Sequence, residues 1–591
     1  MNVADYIVNF IANHGVSTIF MVTGGQAMFL NDAVYRNKKI TPIFTHHEQA
    51  ASMAAEAYGR ITGNIGVTMV TAGPASVNAL NGVVGAYVDS SPMMVISGQS
   101  SSNNVSYMEK TGIRQCGLQG IFMRPIATPV TKYFVTVDDP DKIAFYMEQA
   151  YYLARNGRPG PVWIEVPLDV QRMEVPKKEY YYEPFETEKP PQISVHDIRN
   201  VARLLTSSTR PLLVLGHGVR IAGAMDLVKQ FLKTMHTPVV TTRLGIDLIE
   251  TENPLFVGRP GLYGDRGAHF AVQNADCILA VGARLDPGVV GYEASDWGRK
   301  AKIIVVDIDS KELDKPGLST AMKIRGDAKN FFTLLLAELS GKKIQKPTAW
   351  IKRCEYWRKT YPTVLLSYAK EKPVNSYFLT DRLSHLSDPS DMVVVDTSSP
   401  FHVVCQGWHL KKGQRFITTG GISTMGYWPA AIGACMAGNR RRTIVVTGDG
   451  CLQMNIQELA TMKGANLPIK LFVINNGGYL LIRHTQKNHM EGRMIGESRE
   501  SGLFIPDSIK VAKAYGIRSV RITSPIDIDK HIKEVLAGDD PVVCDVLSPH
   551  WQQIAPRIAS DKMPDGRLVS KPYEDLFPFL ERDEFEKANV A

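Results

Sequence analysis

The sequence predicts an α/β protein with three domains, each containing a parallel sheet flanked by helices. Short apolar runs, such as IGVTMV at 65–70 and PLLVL at 211–215, alternate with longer helix-like stretches. This alternation is typical of parallel sheets whose strands are joined by helices. The length of 591 residues is enough for about three or four domains, each with its own hydrophobic core.

Two polar stretches interrupt the alternation, and we interpret them as interdomain linkers. Residues 174–192 are rich in Pro, Lys, Glu and Tyr, and residues 341–375 are polar with scattered Pro. The sequence shows no short-period repeat. We therefore expect a first domain at 1–172, a central domain at 193–340, a third domain at 376–550 and a tail at 551–591.

The composition is typical of a soluble globular protein, with 44% hydrophobic and 21% charged residues. The net charge of +8 is spread along the chain without a basic stripe, which argues against a nucleic-acid partner. No apolar run is long enough to span a membrane, and the first residues lack the basic-then-apolar order of a signal peptide. Because the seven cysteines are an odd number without a CxxC pair, we expect a reducing, cytoplasmic setting.

The most informative motif pairs GDG at 448–450 with INN at 474–476. The apolar run TIVVT ends just before the first triplet, and the run KLFVI ends just before the two asparagines. If these strands are neighbours, their ends bring oxygen ligands together. Mg²⁺ takes hard oxygen ligands and shares its coordination shell with phosphates. The predicted metal ligands are therefore Asp449, Asn476 and the carbonyl oxygen of Gly478.

The residues around Asp449 are predicted to bind a diphosphate. Gly450 allows the backbone to approach a phosphate closely. Gly448 and Cys451 flank Asp449 and Gly450 in the sequence. A helix beginning near Asn455 would direct its amide groups at the same anion. Taken singly, GDG at 448–450 and NNGG at 475–478 are each more often an ordinary turn. Their occurrence together, each directly after an apolar strand, favours the metal site.

The stretch GDGCLQMNIQELATMKGANLPIKLFVINN resembles the cofactor signature of thiamine-diphosphate-dependent enzymes, specifically the acetohydroxyacid (acetolactate) synthase family. Further similar segments occur in order: HHEQAASMAAEAYGRITG, TAGPASVNALNGVVGAYVDSSPMMVISGQ, RPGPVWIEVPLDVQ, GARLD and TTGGISTMGYWPAAIGA. The resemblance covers nearly the whole chain. It implies an enzyme whose first domain binds the pyrimidine of thiamine diphosphate and whose third binds the diphosphate and Mg²⁺. The first and third domains would share a fold, and the central domain would be Rossmann-like.

The resemblance also implies catalytic residues in the first domain. The family uses a glutamate that hydrogen-bonds the pyrimidine and helps activate the cofactor, and Glu48 matches it. A lone glutamate is more often a capping or surface residue, so this assignment depends on the matching sequence around it. Gln119 matches a glutamine near the reacting carbon, and Gly25 matches the glycine of the facing loop. Gln26 replaces the alanine that usually follows that glycine.

Further cofactor contacts are implied in the third domain. The family pattern Gly-Gly-Leu-Gly-x-Met-Gly reads GGISTMG at 420–426. The carbonyl oxygen of Ser423 would bond the aminopyrimidine, and Met425 would support the bent cofactor, although a methionine in an apolar run is more often plain core. Ser398 and His402 fall where the family has Gly-Val-Gly-Gln-His, and they are candidates for diphosphate contacts.

In this family the central domain holds a structural FAD. Gly216–His217–Gly218 follows a strand but lacks the full glycine spacing of a dinucleotide loop, so alone it predicts a tight turn. Retention of GARLD favours FAD over an empty or ADP-filled domain. The candidate FAD contacts are Arg284, Asp286, Asp307 and Asp327.

Because Glu48 and the metal ligands lie on different domains, the resemblance implies that they meet across a subunit interface. The expected assembly is a homodimer or a homotetramer, and a lone chain would be inactive.

Two departures from the family bear on the substrate. Gly288 stands where the family has an arginine facing a second oxo acid, and Thr485 stands where it has a tryptophan that favours 2-oxobutyrate. These changes favour a bulkier acceptor without a matching carboxylate. Arg483 and His484 could contact such an acceptor, and exposed helix positions explain these two residues equally well. The tail segment SKPYEDLFPFLER at 570–582 resembles relatives that act on nucleotide-linked keto sugars in branched sugar biosynthesis.

The leading functional hypothesis is a decarboxylating carboligase, a transferase that moves an acetyl unit from pyruvate to a nucleotide-linked keto sugar. The alternatives are an acetolactate synthase joining two pyruvates, with a 2-oxo acid as the acceptor, and a related 2-oxo acid decarboxylase or lyase. A non-catalytic scaffold is a further alternative, which the intact Glu48, Asp449 and Asn476 disfavour.

Overall fold

The computed structural model describes residues 1–175 and 191–589. Residues 176–190 of the predicted first linker lie outside the described residues. The described chain forms two compact units. The first contains residues 1–175, Ser390–Phe401 and Arg415–His550. The second contains residues 191–389, His402–Gln414 and residues 551–589.

The first six strands form one parallel sheet in the order β2-β1-β3-β4-β6-β5. Its strands are β1 (Thr18–Met21), β2 (Thr41–Phe44), β3 (Gly66–Val70), β4 (Met93–Gln99), β5 (Tyr133–Thr136) and β6 (Pro161–Pro167). Its helices are α1 (Val3–Asn13), α2 (Met28–Arg36), α3 (Glu48–Thr62), α4 (Pro74–Asp89), α5 (Ser102–Thr111), α6 (Arg124–Ala127), α7 (Ile143–Arg155) and α8 (Leu168–Gln171).

The next six strands form a parallel sheet in the order β12-β11-β10-β7-β8-β9. Its strands are β7 (Pro211–Leu215), β8 (Val239–Thr241), β9 (Phe256–Gly258), β10 (Cys277–Val281), β11 (Lys302–Asp307) and β12 (Thr320–Arg325). The helices of this region and of the segment after it are α9 (Val195–Ser207), α10 (Gly218–Ile221), α11 (Met225–Met235), α12 (Arg266–Asn274), α13 (Pro287–Val290), α14 (Ser310–Leu313), α15 (Ala328–Leu339), α16 (Thr348–Thr360) and α17 (Ser376–Leu386). This is the doubly wound order of dinucleotide-binding sheets, whose topological switch point lies between β7 and β10.

The third parallel sheet has the order β14-β13-β15-β16-β18-β17. Its strands are β13 (Met392–Val395), β14 (Arg415–Thr418), β15 (Thr443–Gly448), β16 (Ile469–Asn475), β17 (Arg518–Ile522) and β18 (Val542–Leu547). Its helices are α18 (Ser399–Gly407), α19 (Ala430–Ala437), α20 (Asp449–Gln453), α21 (Glu458–Gly464), α22 (Leu480–His489), α23 (Ser508–Ala514) and α24 (Ile528–Leu536). Counted within its own sheet, each strand has the same place as in the first sheet, so the first and third folds share one topology.

The prediction of an α/β fold with three parallel sheets is confirmed. The tail adds an antiparallel pair, β19 (Ser560–Lys562) and β20 (Leu568–Ser570), and the helix α25 (Arg582–Ala588). Short 3₁₀ helices cover Gly25–Ala27, Thr128–Val130, Pro140–Lys142, Arg243–Leu248, Ala294–Asp296, Leu366–Lys370 and Arg499–Ser501.

The core of the first unit contains α3, an alanine-rich helix. Every residue from Ala50 to Arg60 is buried, so the helix lies between layers and exposes no broad polar face. Small side chains allow the backbone of α19 to approach it closely, because a Cβ atom on Gly433 would lie 1.8 Å from the carbonyl oxygen of Ala54. This packing joins the first and third sheets within the unit.

The described residues contain no helix that is both long enough and apolar enough to cross a membrane. All seven cysteines lie in the described ranges as free thiols, and six of them are buried.

Candidate thiamine diphosphate and metal site

The predicted metal ligands lie at the carboxyl ends of two adjacent strands. β15 and β16 pair in parallel with Gly448 opposite Ile474, so the residues that follow both strands emerge side by side. Asp449 begins α20 and is 1% exposed, while Asn476 follows β16 and is 6% exposed. The sheet register therefore brings the two predicted oxygen ligands to one edge.

The Asp449 carboxylate is held by backbone amides. Its Oδ1 atom accepts a hydrogen bond from the Gly450 amide at 2.8 Å. Its Oδ2 atom accepts bonds from the amides of Gly477 and Gly478, at 2.8 and 3.0 Å. Burial raises the pKa of Asp449 to about 6 against the effect of these three donors. A cation beside the carboxylate would favour its charged form.

Asn476 provides the clearest sign of a missing ligand. Its side-chain Oδ1 atom is buried and has no hydrogen-bond partner among the described residues. By contrast, Asn475 donates from Nδ2 to Oδ1 of Asp545 at 3.0 Å. A buried oxygen without a partner costs free energy unless a cation or a donor binds it. The two adjacent asparagines thus have different roles, and Asn476 fits a metal ligand.

The backbone beyond Asn476 requires glycine. Gly478 has a φ of +138°, and a Cβ atom there would lie 1.9 Å from the carbonyl oxygen of Glu497. Gly450 has a similar restriction, since its Cβ atom would lie 2.2 Å from the Tyr479 ring. The described residues contain no cluster of three or more His, Cys, Asp or Glu that could hold a metal. The oxygen set fits Mg²⁺ that takes further ligands from a bound diphosphate.

The helix predicted to begin near Asn455 is α21, which begins three residues later at Glu458. Two short helices, α20 and α21, lie on either side of Asn455. The Asn455 side chain donates from Nδ2 to the carbonyl oxygen of Gly426 at 2.7 Å, which ties this turn to the loop at 420–427. Cys451 lies within α20, and its thiol is 3.8 Å from the carbonyl oxygen of Thr397.

We call residues 420–427, which contain Ser423 and Met425, the pyrimidine loop. Ser423 is exposed with a φ of +45°, and its hydroxyl donates to the carbonyl oxygen of Gly420 at 3.2 Å. Met425 is half-buried, so it is not plain core. The backbone conformation of the loop leaves Ser423 at the surface of the first unit.

Asp396 anchors the end of the pyrimidine loop, and the sequence reasoning missed it. This buried residue follows β13, and its Oδ1 atom accepts bonds from the amides of Gly426 and Tyr427 at 3.1 and 3.0 Å. Its Oδ2 atom accepts a bond from the Thr447 hydroxyl at 3.0 Å. Burial raises its pKa to about 6. The signal was available, because MVVVD repeats the pattern of an acid directly after an apolar strand.

Glu48 lies at the first position of α3 and is half-buried. Its Oε2 atom accepts a bond from Nδ2 of Asn78 at 3.0 Å. The preceding segment is fixed by a buried acid, since the amide of His46 donates to both carboxylate oxygens of Glu458, at 3.1 and 3.2 Å. The carboxylate of Glu48 is therefore presented from an ordered helix start.

Gln119 and Gly25 lie on two loops of the first sheet. Gln119 is exposed with a φ of +58°, and a Cβ atom on Gly73 would lie 2.1 Å from its carbonyl oxygen. Gly25 begins a 3₁₀ helix, and a Cβ atom there would meet nothing within 4 Å. The carbonyl oxygen of Gln26 accepts a bond from Nε2 of Gln171 at 2.7 Å. Gln26 therefore has a structural contact through its backbone.

The loop that carries Gln119 is supported by a buried carboxylate that the sequence reasoning did not single out. Nε2 of Gln99 donates to the carbonyl oxygen of Ile121 and to Oε1 of Glu165, both at 2.9 Å. Glu165 is 1% exposed, and burial raises its pKa to about 7.

The substitution Glu165→Gln is expected to change the free energy of unfolding more favourably at pH 8 than at pH 5. The folded pKa of Glu165 lies above its unfolded value, so below about pH 4.5 the group is protonated in both states and carries no penalty. As pH rises to about 7 the ionised form destabilises the fold, by about 3 kcal/mol at most. Urea unfolding of both proteins at the two pH values measures this difference. Equal effects of the substitution at pH 5 and pH 8 would contradict it.

The second unit contains the candidate flavin residues. The loops after β7 and β10 touch at the switch point, since a Cβ atom on Gly216 would lie 1.9 Å from the carbonyl oxygen of Gly282. Arg284 has a φ of +57° and a half-buried side chain, and Asp286 caps α13. Asp307 is 8% exposed at the end of β11. These positions border the crevice where doubly wound sheets bind ligands.

Asp327 lies one strand further from the switch point. Its Oδ1 atom accepts bonds from the amides of Lys329 and Asn330, at 2.9 and 3.0 Å, as the N-cap of α15. Helix capping accounts for this residue without a nucleotide.

Ser398 and His402 have different surroundings. Ser398 has a φ of +67° in the turn before α18. The His402 ring is buried and stacks on Tyr263, with ring centroids 3.9 Å apart. Burial and the nearby Arg243 charge hold the pKa of His402 well below its ordinary value. A neutral, stacked ring provides no positive charge for a diphosphate.

The expectation that Arg483 contacts the acceptor is not supported by its surroundings. Its side chain is 3% exposed, and Nε pairs with Oε2 of Glu497 at 2.6 Å. It also donates to the carbonyl oxygen of His550. His484 is buried as well, whereas Thr485 is exposed and donates to the carbonyl oxygen of Leu481 at 3.0 Å.

Comparison with known families matches all three parts of the chain. The description "Thiamine pyrophosphate enzyme, N-terminal TPP binding domain" matches residues 1–122. The corresponding central domain matches residues 198–335, and the C-terminal TPP binding domain matches residues 396–546. The chain therefore belongs to the thiamine-diphosphate-dependent enzymes.

Within that class, the similar proteins are acetolactate synthases. The chain is 31% identical to the probable acetolactate synthase large subunit of Methanocaldococcus jannaschii, over 99% of this chain and 98% of that protein. It is 31% identical to the large subunit of Lactococcus lactis, over 92% of each chain. It is 30% identical to the isozyme 2 large subunit of Escherichia coli, over 95% of this chain and 99% of that protein. The chain is an acetolactate synthase-type enzyme that uses thiamine diphosphate.

Proposed function

We propose that this enzyme releases carbon dioxide from pyruvate and transfers the remaining two-carbon unit to a nucleotide-linked keto sugar. The observation that carries the cofactor part of the proposal is the buried Asn476 oxygen beside Asp449, at the edge where a metal-bound diphosphate would lie. The acceptor rests on sequence departures that are argued separately below.

The proposed roles combine the positions of the described residues with the roles that the family resemblance implies. Asp449, Asn476 and the carbonyl oxygen of Gly478 hold Mg²⁺, and Gly448, Gly450 and Cys451 border the diphosphate. The carbonyl oxygen of Ser423 accepts from the aminopyrimidine and Met425 supports the cofactor. When bound, thiamine diphosphate supplies a carbon nucleophile and an electron sink. Glu48 moves the proton on the pyrimidine that activates it, and Gln119 and Gly25 border the reacting carbon.

We also propose that two copies complete each site. Glu48 lies at the start of α3 beside the first sheet, whereas the proposed metal ligands lie at the edge of the third sheet. The family resemblance, in which these two groups meet across a subunit interface, supports a second copy that supplies the other half of each site. The assembly would be a homodimer or a pair of dimers, with 1–172 binding the pyrimidine and 376–550 the diphosphate.

FAD is the cofactor proposed for the central region at 193–340. Arg284, Asp286 and Asp307 border the switch-point crevice of the second sheet, which supports a dinucleotide there. Asp327 caps α15 and is a weaker candidate. Flavin absorbance of the purified protein tests this assignment without reference to activity.

Two small residues support a large acceptor. Position 288 has no side chain, and a Cβ atom there would lie 2.8 Å from Oδ1 of Asp286. Thr485 places a short side chain on the exposed face of α22. Both positions remove bulk relative to the family pattern.

A second candidate is acetolactate formation from two pyruvates. The names of the similar proteins favour it, and so does one contact within the second unit. Nη1 of Arg243 lies 3.7 Å from the position that a Cβ atom on residue 288 would occupy. A positive charge is therefore present beside Gly288 despite the missing arginine.

Mass spectrometry of products distinguishes the two acceptors. The protein is incubated with thiamine diphosphate, Mg²⁺ and pyruvate, with and without a nucleotide-linked 4-keto sugar. A sugar product heavier by an acetyl unit supports the first proposal. Acetolactate alone in both incubations supports the second.

The double variant Gly288→Arg/Thr485→Trp is expected to raise acetolactate formation severalfold relative to sugar product. The arginine adds a guanidinium for a second oxo acid, and the tryptophan narrows the space for a larger acceptor. Initial rates with pyruvate alone and with the sugar measure the ratio. An unchanged ratio in a folded double variant would remove the support that these two positions give.

A further inference from the structure

A small pocket lies behind the pyrimidine loop, between α3, α4 and the loop. Its lining includes Met53, Gly82, Thr419, Ile422 and Thr424. Two buried carboxylates beside this pocket, Asp89 and Glu56, hydrogen-bond the two ends of the loop.

Asp89 fixes the start of the loop. This residue ends α4 and is 5% exposed. Its Oδ2 atom accepts a bond from the Gly420 amide, and its Oδ1 atom accepts one from the Gly421 amide, both at 2.8 Å. Bonds from amides to a carboxylate are stronger than those between neutral groups. Both oxygens of one buried carboxylate are thus used to orient two consecutive peptides.

Glu56 fixes the end of the loop from the adjacent helix. This residue is 3% exposed on α3, and its Oε2 atom accepts a bond from the Tyr427 hydroxyl. Its Oε1 atom accepts bonds from the Ser91 hydroxyl at 2.6 Å and from Nη1 of Arg60 at 3.3 Å. The same Arg60 nitrogen donates to the carbonyl oxygen of Thr418 at 2.8 Å.

The Glu56 carboxylate has a buried cation beside it. Nη1 of Arg60 lies 3.3 Å from Oε1, while Oε2 accepts from the Tyr427 hydroxyl. Phenylalanine at 427 would fill the same space but could not donate. The tyrosine hydroxyl is therefore needed for the link between helix and loop, and not for packing.

We propose that Glu56 and Asp89 are positioning residues that hold the pyrimidine loop in its cofactor-binding conformation. This inference rests on the proposed contact of Ser423 with the aminopyrimidine. It assigns them to the pyrimidine half of the cofactor, because their hydrogen bonds to Gly420, Gly421 and Tyr427 do not involve the proposed ligands of the diphosphate half, Asp449 and Asn476. Since Glu48 and Glu56 share α3, the same helix would also fix the proton-transferring residue relative to this loop.

The test compares two ligands by calorimetry: thiamine diphosphate with Mg²⁺, and inorganic pyrophosphate with Mg²⁺. Tyr427→Phe and Asp89→Asn each weaken one attachment of the loop. The matched control is Tyr58→Phe, which removes a different buried hydroxyl, one that lies on α3. Tyr58 is 4% exposed, and its hydroxyl lies 3.0 Å from Oγ of Ser17, away from the loop.

We expect Tyr427→Phe and Asp89→Asn to weaken thiamine diphosphate binding about tenfold, as for one lost bond to a charged group. Pyrophosphate binding should stay within about twofold of wild type, a difference below 0.5 kcal/mol. Tyr58→Phe should leave both affinities unchanged while lowering the melting temperature of the ligand-free protein like Tyr427→Phe.

Equal losses of both ligands, or a similar loss in Tyr58→Phe, would show a merely structural role and overturn the inference. Unchanged thiamine diphosphate binding in both loop variants would overturn it as well. A wild-type protein that binds pyrophosphate but not thiamine diphosphate would instead contradict the cofactor placement proposed above, so the two failures are distinguishable.

Discussion

Glu48→Gln is expected to reduce turnover by about 10²- to 10⁴-fold, the range for losing a positioned proton-transfer group. Glutamine keeps the shape and the contact with Asn78 but cannot transfer the proton. The proposed diphosphate and metal ligands lie on the third sheet and are unchanged in this variant. Carbon dioxide release from pyruvate measures turnover, and calorimetry with thiamine diphosphate measures binding.

Glu109→Gln is the matched control for this change, because Glu109 is an exposed glutamate on α5 of the same domain. It should retain wild-type turnover. If Glu48→Gln also retains near-wild-type turnover, or if it loses the cofactor, the assignment of Glu48 as the proton-transfer residue is wrong.

Asn476→Ala is expected to abolish Mg²⁺-dependent binding of thiamine diphosphate at micromolar cofactor. The substitution removes a buried oxygen that otherwise has no partner in the described structure. A lost ligand in a small hard-cation site leaves the metal with water, and the charge that holds the diphosphate is then weakly bound. Titration of thiamine diphosphate at several Mg²⁺ concentrations measures the loss.

Asn475→Ala provides a control one residue away. Asn475 bonds Asp545, which keeps a second partner in Arg521 at 2.7 Å. We expect it to cost about 1 kcal/mol of stability and to leave metal-dependent binding intact. If the two alanine variants lose cofactor affinity equally, Asn476 has no special role as a ligand.

The convergence of Asp449 and Asn476 at one sheet edge could be predicted because most of it is local in the sequence. Apolar strands followed by Asp449 and by Asn476 are visible in the sequence, and parallel pairing of their strands is the one long-range step. The three-sheet α/β class follows from the same alternation of strands and helices. The shared strand order of the first and third sheets does not, because pairing between distant strands leaves no short-range pattern.

The errors have physical causes of the same kind. Helix α21 begins at Glu458 and not at Asn455, whose side chain bonds Gly426, nearly thirty residues away. Arg483 was expected to contact the acceptor, but it pairs with Glu497 in the folded protein. A side chain's partner across a loop cannot be read from one sequence. Asp396 is different, because its position directly after the apolar run MVVV is visible in the sequence and resembles the position of Asp449.

Following the carbon atoms of pyruvate tests the proposed decarboxylation and two-carbon transfer. Purified protein is incubated with pyruvate labelled with ¹³C at the carboxylate, with and without thiamine diphosphate and Mg²⁺. We expect labelled carbon dioxide only when both are present, together with a longer product that carries the two unlabelled carbons. Labelled carbon dioxide without either cofactor, or its absence in the complete mixture, would show that the proposed reaction is wrong.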